Sequence, residues 1–373
     1  MTRVLAEIRR APGVSRSQLA RSTSFTEASL SRITKDLIGA DMILEREESE
    51  RSAGRGRPTI GLHVNPRGFT MLAVVDTIYE QTFSLVSLDG HRMFTGPLPP
   101  RHGESPADAR VSVDAMKAQL RRGLDAPPGA ALGLSAIYLV TAMDAGEDAA
   151  IFEAGLADGF GAPVQRDGVA QALHRAELQR GENERCARSL LAHAGVSLGA
   201  SLILDRAPAD AIALENAIGA APVGTATPPA TRAWRRIADA SSGLAVLHQL
   251  RHETPQLGDD ASAGLHLGLP HAVRQANAGD PRAVAAFAEA GRTLGVALAT
   301  TAALIQPQRI FLAGPLAQAR PYFEGFAAPL LAALPDNEPD RVLRSRISYL
   351  QASEASGIER FVFADGSPLT AVF

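Results

Sequence analysis

The sequence reads SRSQLARSTSFTEASLSRITKDLIGADMI over residues 15–43, and this stretch decides the fold of the amino-terminal part. Ser15 and Gln18 form the S-x-x-Q pattern of a capping box, in which each residue satisfies a free backbone N–H of the other. This pattern predicts a short helix over residues 16–22, with Leu19 on its buried side.

A second helix is predicted over residues 27–40, after the turn STSF. Ser24 or Thr26 can serve as its N-cap, because a hydroxyl accepts a hydrogen bond from the first free backbone N–H groups. Its apolar side chains recur at helical spacing and predict one buried stripe: Leu30, Ile33 and Leu37.

The flanking segments complete a three-helix unit that carries a hairpin. Residues 2–11 predict a first helix, which the segment APGV ends. Its buried side would be formed by Val4, Leu5 and Ile8. The segments MILERE (42–47) and TIGLHV (59–64) predict two short strands around a tip rich in glycine and arginine. Three helices followed by such a wing are typical of duplex-DNA binding.

The predicted DNA contacts follow from that geometry. An α-helix fits the major groove, where base edges are distinguishable, so the exposed side of the last helix should face bases. The residues expected there are Thr26, Glu27, Ala28, Ser29 and Arg32. Ser15 and Ser17 could hold a phosphate at the start of the second helix, and the wing residues Arg55 and Arg57 could follow the minor groove or the backbone. The alternative is that these are ordinary solvated faces. The acidic run 45–50 would repel phosphate, so we expect it to face away from DNA.

Composition sets limits on the class of protein. The chain has 373 residues, of which 46% are hydrophobic and 21% charged, as in globular proteins with more than one domain. Cys186 is the only cysteine, which excludes an intrachain disulfide and a cysteine-based zinc cluster. Residues 1–65 carry 11 Arg and Lys against 8 Asp and Glu, although the whole chain has a net charge of −3. A basic head on an acidic body suits a protein that presents one end to a polyanion.

The rest of the chain alternates strands and helices. Strands are predicted within 69–90, 129–140, 189–206, 309–317 and 344–350, and helices at 106–123, 279–307 and 321–334. The segment 156–181 predicts a helix end, a short strand and a long helix. This order predicts two α/β lobes, each starting with a hairpin-like unit.

These segments resemble the ROK family (repressor, open reading frame, sugar kinase), in its transcriptional-regulator branch. The resemblance lies in residues 15–43, in the wing GRGRPTIGLHVNP, in GVSLGASLILD and in residues 279–314. It implies an α/β fold in which a winged helix-turn-helix (1–66) precedes a two-lobed, actin-like sugar-kinase body (67–190 and 191–373). The carboxy-terminal segment is a candidate to pack back on the first lobe. The resemblance also implies a homodimer or homotetramer.

The chain departs from the family at its three hallmark motifs. Where the kinases have the phosphate loop Asp-x-Gly-Gly-Thr, residues 76–80 read DTIYE, without a glycine that would let the backbone approach a phosphate. The Cys-rich zinc loop is missing. The sugar-binding Glu-x-Gly-His step is replaced around AAPVGT (220–225).

One fragment of the family's sugar site survives. Its Asn-Asp step, which supplies the catalytic base, corresponds to Arg166 and Asp167. Asp167 could still contact an effector, since a carboxylate accepts hydrogen bonds from sugar hydroxyls. It could equally be the N-cap of the following helix. Arg166 could pair with an anionic ligand or with Asp167.

The sequence therefore leaves three functions open. The first is a cytoplasmic DNA-binding regulator, with repression favoured, whose body reads a sugar, a sugar phosphate or another small molecule. The second is a constitutive DNA-binding protein whose body is a ligand-free dimerisation platform. The third and most remote is a sugar kinase. We expect no enzymatic activity, cofactor, metal or membrane partner.

Overall fold

The structure is a computed structural model of the chain. It describes residues 1–48, 59–100, 105–125, 133–142, 146–205, 207–208, 217–223, 235–250, 261–336 and 338–364. Within that part of the chain, no helix combines the length and the apolar character needed to cross a membrane.

The amino-terminal unit consists of three helices and a two-stranded antiparallel hairpin. Its elements are α1 (Thr2–Arg10), α2 (Arg16–Ser22), α3 (Glu27–Gly39), β1 (Ile43–Glu48) and β2 (Thr59–Val64). Ser15 and Gln18 form the predicted capping box at α2, and the Thr26 side chain accepts a hydrogen bond from the Ser29 N–H at α3. The apolar stripes of the three helices meet in one core.

The first lobe contains a five-stranded mixed sheet. Its strands lie in the order β5 (Arg92–Pro97), β4 (Gln81–Ser87), β3 (Thr70–Asp76), β6 (Ala136–Thr141) and β7 (Val164–Gly168). Strands β3, β4 and β5 are antiparallel, whereas β6 and β7 run parallel to β3. Helices α4 (Pro106–Gly123) and α5 (Gly146–Phe160) cover one face with an apolar core that includes Val74, Met116 and Phe152. Helix α6 (Val169–Leu178) covers the other face.

The second lobe repeats this plan. Strands β8 (Ser189–Ala194), β9 (Leu198–Leu204) and β10 (Ala207–Pro208) are antiparallel. A further pair, β11 (Pro222–Val223) and β12 (Arg235–Arg236), lies outside this sheet. Strands β13 (Arg309–Ala313) and β14 (Val342–Arg344) then add in parallel beside β8. Two such sheets in series account for the predicted pair of α/β lobes.

Helices pack on both sides of the second sheet. The helices after the hairpin are α7 (Ala238–Ser241), α8 (Gly243–Leu250), α9 (Ala261–Asn277), α10 (Pro281–Ile305) and α11 (Arg320–Ala333). Phe287 and Leu294 of α10 and Phe326 of α11 pack in one core with this sheet. On the other side, His174 of α6 bonds through its two ring nitrogens to Ser189 and Ser201, at 2.8 and 3.0 Å. Helix α6 therefore lies between the two sheets.

The prediction of a strand over residues 344–350 is wrong. Strand β14 ends at Arg344, and a helix, α12, runs from Tyr349 to Ile358. Ser348 and Gln351 form a second capping box, the same signal as at α2. The sequence did not show the apolar spacing of a helix here because the buried side of α12 carries serines. Ser356 Oγ donates to the Ala172 carbonyl at 2.7 Å. Small side chains let α12 pack against β3 and β6, where a Cβ at Gly357 would come within 2.7 Å of Tyr138 and of Met71.

The amino-terminal unit is packed directly on the first lobe. One apolar cluster extends from Leu5 and Ile8 of α1 to Phe361, in a π-helical turn (Glu359–Phe363) that follows α12. The guanidinium of Arg10 pairs with Glu184 at 2.9 Å. These contacts attach α1 to the body as well as to α3.

Candidate nucleic-acid interface and interlobe site

The outer face of α3 is open to solvent. Leu30, Thr34 and Leu37 are buried, and the opposite side of the helix carries Ala28 and Arg32. All five positions predicted to face bases are exposed: Thr26, Glu27, Ala28, Ser29 and Arg32. Helical geometry groups them differently from the prediction, because Glu27 and Ser29 lie toward the flanks of this face.

Lys35 was missed by the sequence reasoning. It is exposed and lies three residues after Arg32 and seven after Ala28, which places all three on one face. Among the residues that the structure describes, neither Arg32 nor Lys35 has a carboxylate partner. The helical spacing from Arg32 was a sufficient signal. The face presents two cations beside a small side chain.

The start of α2 is less available than predicted. Ser15 is buried, and its hydroxyl accepts from the Gln18 N–H and lies 3.0 Å from the Ser17 hydroxyl. Its oxygen is therefore used in capping the helix. Ser17 is exposed. Arg55 and Arg57 lie outside the described residues, as does the end of the acidic run 45–50.

Arg16 holds the parts of the amino-terminal unit together. Its Nε donates to the Thr34 hydroxyl at 2.8 Å, and its Nη2 pairs with Glu45 of β1 at 2.7 Å. One side chain thus connects α2, α3 and the hairpin. The first carboxylate of the acidic run is neutralised by this pair.

A tyrosine of the first lobe contacts the second lobe. The backbone N–H of Val196, in the β8–β9 turn, donates to the Tyr79 hydroxyl. The Tyr79 ring stacks on Tyr349 with centroids 5.7 Å apart, and His193 Nε2 lies 2.9 Å from the Tyr349 hydroxyl. A Cβ at Gly195 would overlap the Tyr79 hydroxyl, so the turn needs glycine at this position.

Residues 76–80, which stand at the place of the kinase phosphate loop, form a turn in which three backbone N–H groups bond to atoms of the turn itself. The Thr77 hydroxyl accepts from the backbone N–H groups of Tyr79 and Glu80, at 3.2 and 3.0 Å. The Thr77 N–H donates to the Glu80 carbonyl at 3.1 Å. A phosphate loop must offer free N–H groups to its anion, and these three are already used.

The Glu80 side chain interacts with the first residues of α12. Its carboxylate accepts from the Leu350 N–H at 3.4 Å, at the start of α12. Burial raises the pKa of Glu80, and its bonds to backbone N–H groups of Tyr349 and Leu350 oppose that rise. A carboxylate is favoured at a helix N-terminus, where it satisfies unpaired donors.

Asp167 is buried in a network of internal partners. Its carboxylate accepts a 2.5 Å hydrogen bond from the Tyr138 hydroxyl and pairs with Arg360 and, at 3.5 Å, with Arg175. The residue is only 3% exposed. The helix-cap alternative is wrong: Gly168 occupies the N-cap of α6, without a side-chain cap. A carboxylate with two arginines and a tyrosine has little remaining capacity for a sugar hydroxyl.

Arg166 is separated from Asp167. Neighbouring residues of a strand point to opposite faces of its sheet, and Arg166 Nε pairs with Glu153 of α5 at 3.2 Å. The suggested pairing of Arg166 with Asp167 is therefore wrong.

Two histidines near the cleft are buried in neutral form. Burial lowers the pKa of His174 to about 3 and that of His193 to about 4. In the described ranges, no group of three His, Cys, Asp or Glu side chains could hold a metal ion.

The chain is similar to known proteins in sequence and, separately, in fold. No protein-family model matches the chain. A transcriptional regulator of Mycobacterium tuberculosis strain H37Rv is 26% identical over 312 residues, which cover 81% of this chain and 71% of that protein. A transcriptional regulator of Mycobacterium bovis gives the same values.

The solved structures with this fold include regulators and kinases. A ROK-family transcriptional regulator, a homologue of the Escherichia coli MLC protein, superposes with a TM-score of 0.73 at 20% identity, over 96% of this chain and 95% of its own. A ROK hexokinase from Thermus thermophilus superposes with a TM-score of 0.56 at 16% identity, over 78% of this chain and 99% of its own. The regulator thus also covers part of the chain that the kinase leaves uncovered.

Proposed function

We propose, from the premise that this chain has the fold shared by ROK-family regulators and kinases, that it is a DNA-binding transcriptional regulator. In this proposal residues 1–66 form a winged helix-turn-helix, with α3 as recognition helix and β1–β2 as wing. Residues 67–190 and 191–373 form the two lobes of the body. Repression, a homodimer or homotetramer and a cytoplasmic location are part of the same proposal.

The observation that carries the proposal is the outer face of α3. Ala28, Arg32 and Lys35 share one exposed face, and neither cation is neutralised by a carboxylate of the described chain. Arginine can read guanine in the major groove, and lysine can contact a phosphate. Glu27 and Ser29 flank this face, and Ser17 could bind the neighbouring phosphate. Arg55 and Arg57 remain proposed wing contacts.

The body is proposed to lack kinase activity. A kinase must leave room and free N–H groups for the nucleotide phosphates, whereas here the Tyr79 hydroxyl is bonded to the Val196 N–H of the other lobe and the Thr77 turn uses its own N–H groups. The residue at the place of the catalytic base, Asp167, is engaged by Arg360 and Arg175. A carboxylate that already binds two arginines and a tyrosine hydroxyl has little remaining capacity to accept a hydrogen bond from a substrate.

A second candidate is a constitutive DNA-binding protein whose body only holds the oligomer together. The same two observations favour it, because the contact of Tyr79 with the second lobe and the occupied carboxylate of Asp167 leave little of the sugar site for an effector. Under the first candidate, an effector at Asp167 would have to displace Arg360. The two candidates differ in whether a sugar or sugar phosphate changes DNA affinity.

Fluorescence anisotropy with labelled DNA from upstream of the protein's own gene tests the proposal. We expect saturable binding about a thousandfold tighter than to unrelated DNA, with a steep salt dependence. Arg32→Gln should weaken specific binding by roughly 5- to 150-fold, and Lys35→Gln should lower the salt slope by about one. Arg274→Gln, an exposed arginine of α9, is the control. Equal affinity for all sequences, unchanged in both variants, would refute this use of α3.

A further inference from the structure

A cavity lies where the amino-terminal unit meets the body. It has a volume of about 330 Å³ and is bounded by α1, the turn between β4 and β5, α6 and α12. Tyr79 and Val196, which join the two lobes, are not among its lining residues. Its walls therefore come from the amino-terminal unit on one side and from the first lobe on the other.

Arg9 forms the wall on the side of α1. Its guanidinium lies over the Phe363 ring, 5.6 Å from the centroid, and close to Gly90, where a Cβ would lie 3.6 Å from Nη2. Burial lowers the pKa of Arg9, and the nearby charge of Asp89 opposes this effect. In the described chain, no residue, Asp89 included, makes a hydrogen bond or an ion pair with this guanidinium. A half-buried guanidinium has five donors, so unused donors here are costly.

Arg180, two residues after the end of α6, provides a second cation on the body side. Its side chain is exposed and has no ion-pair partner in the described chain. The one carboxylate lining the cavity, Glu354, is already bound by Arg92 at 2.6 and 2.7 Å and by the Ser84 hydroxyl at 2.7 Å. Arg9 and Arg180 are therefore the charged lining residues that make no ion pair in the described chain, although the charges of Asp89 and Glu177 act on Arg9 and Arg180, respectively.

The floor of the cavity is apolar. It is formed by Ala176, Ile347, Ala355 and Ile358. Gln179 and Gln351 lie beside it, each with part of its amide used: Gln179 donates to the Ala355 carbonyl at 3.3 Å, and Gln351 accepts from the Ser348 N–H at 3.0 Å. The other half of each amide is left for a ligand. Two cations above an apolar floor select a ligand with an anionic group and a short hydrocarbon part.

We propose that this junction cavity binds a small organic anion, a carboxylate or a phosphate monoester, between Arg9 and Arg180. Arginine suits both groups because its planar fork donates two parallel hydrogen bonds to them. The anion would supply the missing partner of Arg9 and join α1 to α6. This site does not depend on the proposed DNA binding, although a ligand there would stiffen the attachment of the amino-terminal unit.

Isothermal titration of the full chain tests the site without DNA, so that its failure leaves the proposed function untouched. The probes are inorganic phosphate and butyrate, at constant ionic strength set with chloride. We expect saturable binding of at least one probe, at least tenfold weaker in Arg9→Gln and in Arg180→Gln and within twofold of wild type in Arg274→Gln.

The two probes distinguish the two anionic groups. Binding of phosphate alone assigns a phosphate ester, and binding of butyrate alone assigns a carboxylate. Absence of saturable binding of both probes, or equal binding in the two arginine variants, would overturn the proposal. Arg180 is exposed, so its variant should fold even if Arg9→Gln does not, and the test then rests on Arg180→Gln.

Discussion

The backbone N–H of Val196 donates a hydrogen bond to the hydroxyl of Tyr79, and this contact joins the first lobe to the second across their cleft. The ring packs against Tyr349 and His193, with centroids 5.7 and 6.0 Å away, and those two rings also contact each other at 5.8 Å. A side chain from the first hairpin of one lobe thus occupies the space in front of the first hairpin turn of the other.

Removal of the Tyr79 ring should loosen the two lobes. Tyr79→Ala is expected to lower the free energy of unfolding by about 2–4 kcal/mol, because a packed aromatic ring is replaced by a void. Tyr79→Phe, which removes only the hydroxyl, should cost about 1 kcal/mol. Urea denaturation measures both values. Ile78→Ala, at an exposed neighbouring position, is the control and should change little. Equal effects of Ile78→Ala and Tyr79→Ala would contradict the role of the ring.

Gly195 should tolerate a side chain only when Tyr79 is absent. A Cβ at this position would lie 2.1 Å from the Tyr79 hydroxyl oxygen and 2.7 Å from Cζ. Gly195→Ala is therefore expected to destabilise the protein by about 1–3 kcal/mol. In the double variant with Tyr79→Ala, most of this extra cost should disappear, and a double-mutant cycle measures the coupling. Gly268→Ala, where a Cβ would meet Leu247 at an ordinary 3.6 Å, is the control. Additive effects would show that the two residues do not compete for space.

Asp167 should act on stability rather than on catalysis. Asp167→Asn leaves Arg360 and Arg175 without their shared carboxylate, and breaking a buried ion pair in this way costs about 3–5 kcal/mol. Glu153→Gln removes the partly exposed pair with Arg166 and should cost less than about 1 kcal/mol. Thermal and urea unfolding of the two variants provide the comparison. An Asp167→Asn variant as stable as Glu153→Gln would rule out the structural role.

Stability should fall as the pH decreases below about 6.5. His174 and His193 have pKa values of about 3 and 4 in the folded protein, below the usual value of 6.5 for the unfolded chain. The unfolded state therefore binds more protons than the folded state over this range. The contribution of the two histidines to the free energy of unfolding is thus fully present above pH 6.5 and is lost progressively as the pH falls towards 4. Each histidine contributes up to about 1.4 kcal/mol per pH unit.

Histidine variants separate this effect from other titrations. His193→Gln should reduce the slope of the unfolding free energy between pH 6 and pH 4.5, because one of the two neutral imidazoles is gone. His91→Gln, at an exposed position, is the control variant. Urea denaturation over that range provides the measurement. The buried-histidine explanation fails if His193→Gln and the wild type have the same slope.

The sequence predicted most of the elements for local reasons. The capping box at Ser15, the hydroxyl cap at Thr26 and the apolar spacing of α3 predicted the amino-terminal unit to within a residue or two. The resemblance to the ROK family is confirmed at the level of the α/β fold by the superposed regulator and kinases. The exposure of Arg32 was predictable from helical periodicity. Lys35 was equally predictable from that periodicity but was overlooked.

The errors arose where long-range contacts decide. Residues 344–350 read as a strand, yet Ser348 begins a helix whose buried serines find main-chain partners 180 residues or more away in the sequence. Asp167 has the position of a helix cap, but Arg360, from the far end of the chain, pairs with it inside the core. Arg166 and Asp167 are neighbours in sequence and are separated by the pleat of β7.

The sequence by itself thus determined the order of the elements, the exposed face of α3 and the absence of glycine from residues 76–80, because each depends on residues within a few positions of one another. Only the tertiary structure decided that Tyr79 bonds to Val196 of the other lobe, that Asp167 is neutralised internally and that Arg9 and Arg180 share a cavity. Each of these facts depends on which distant side chains meet, and no local pattern records that meeting.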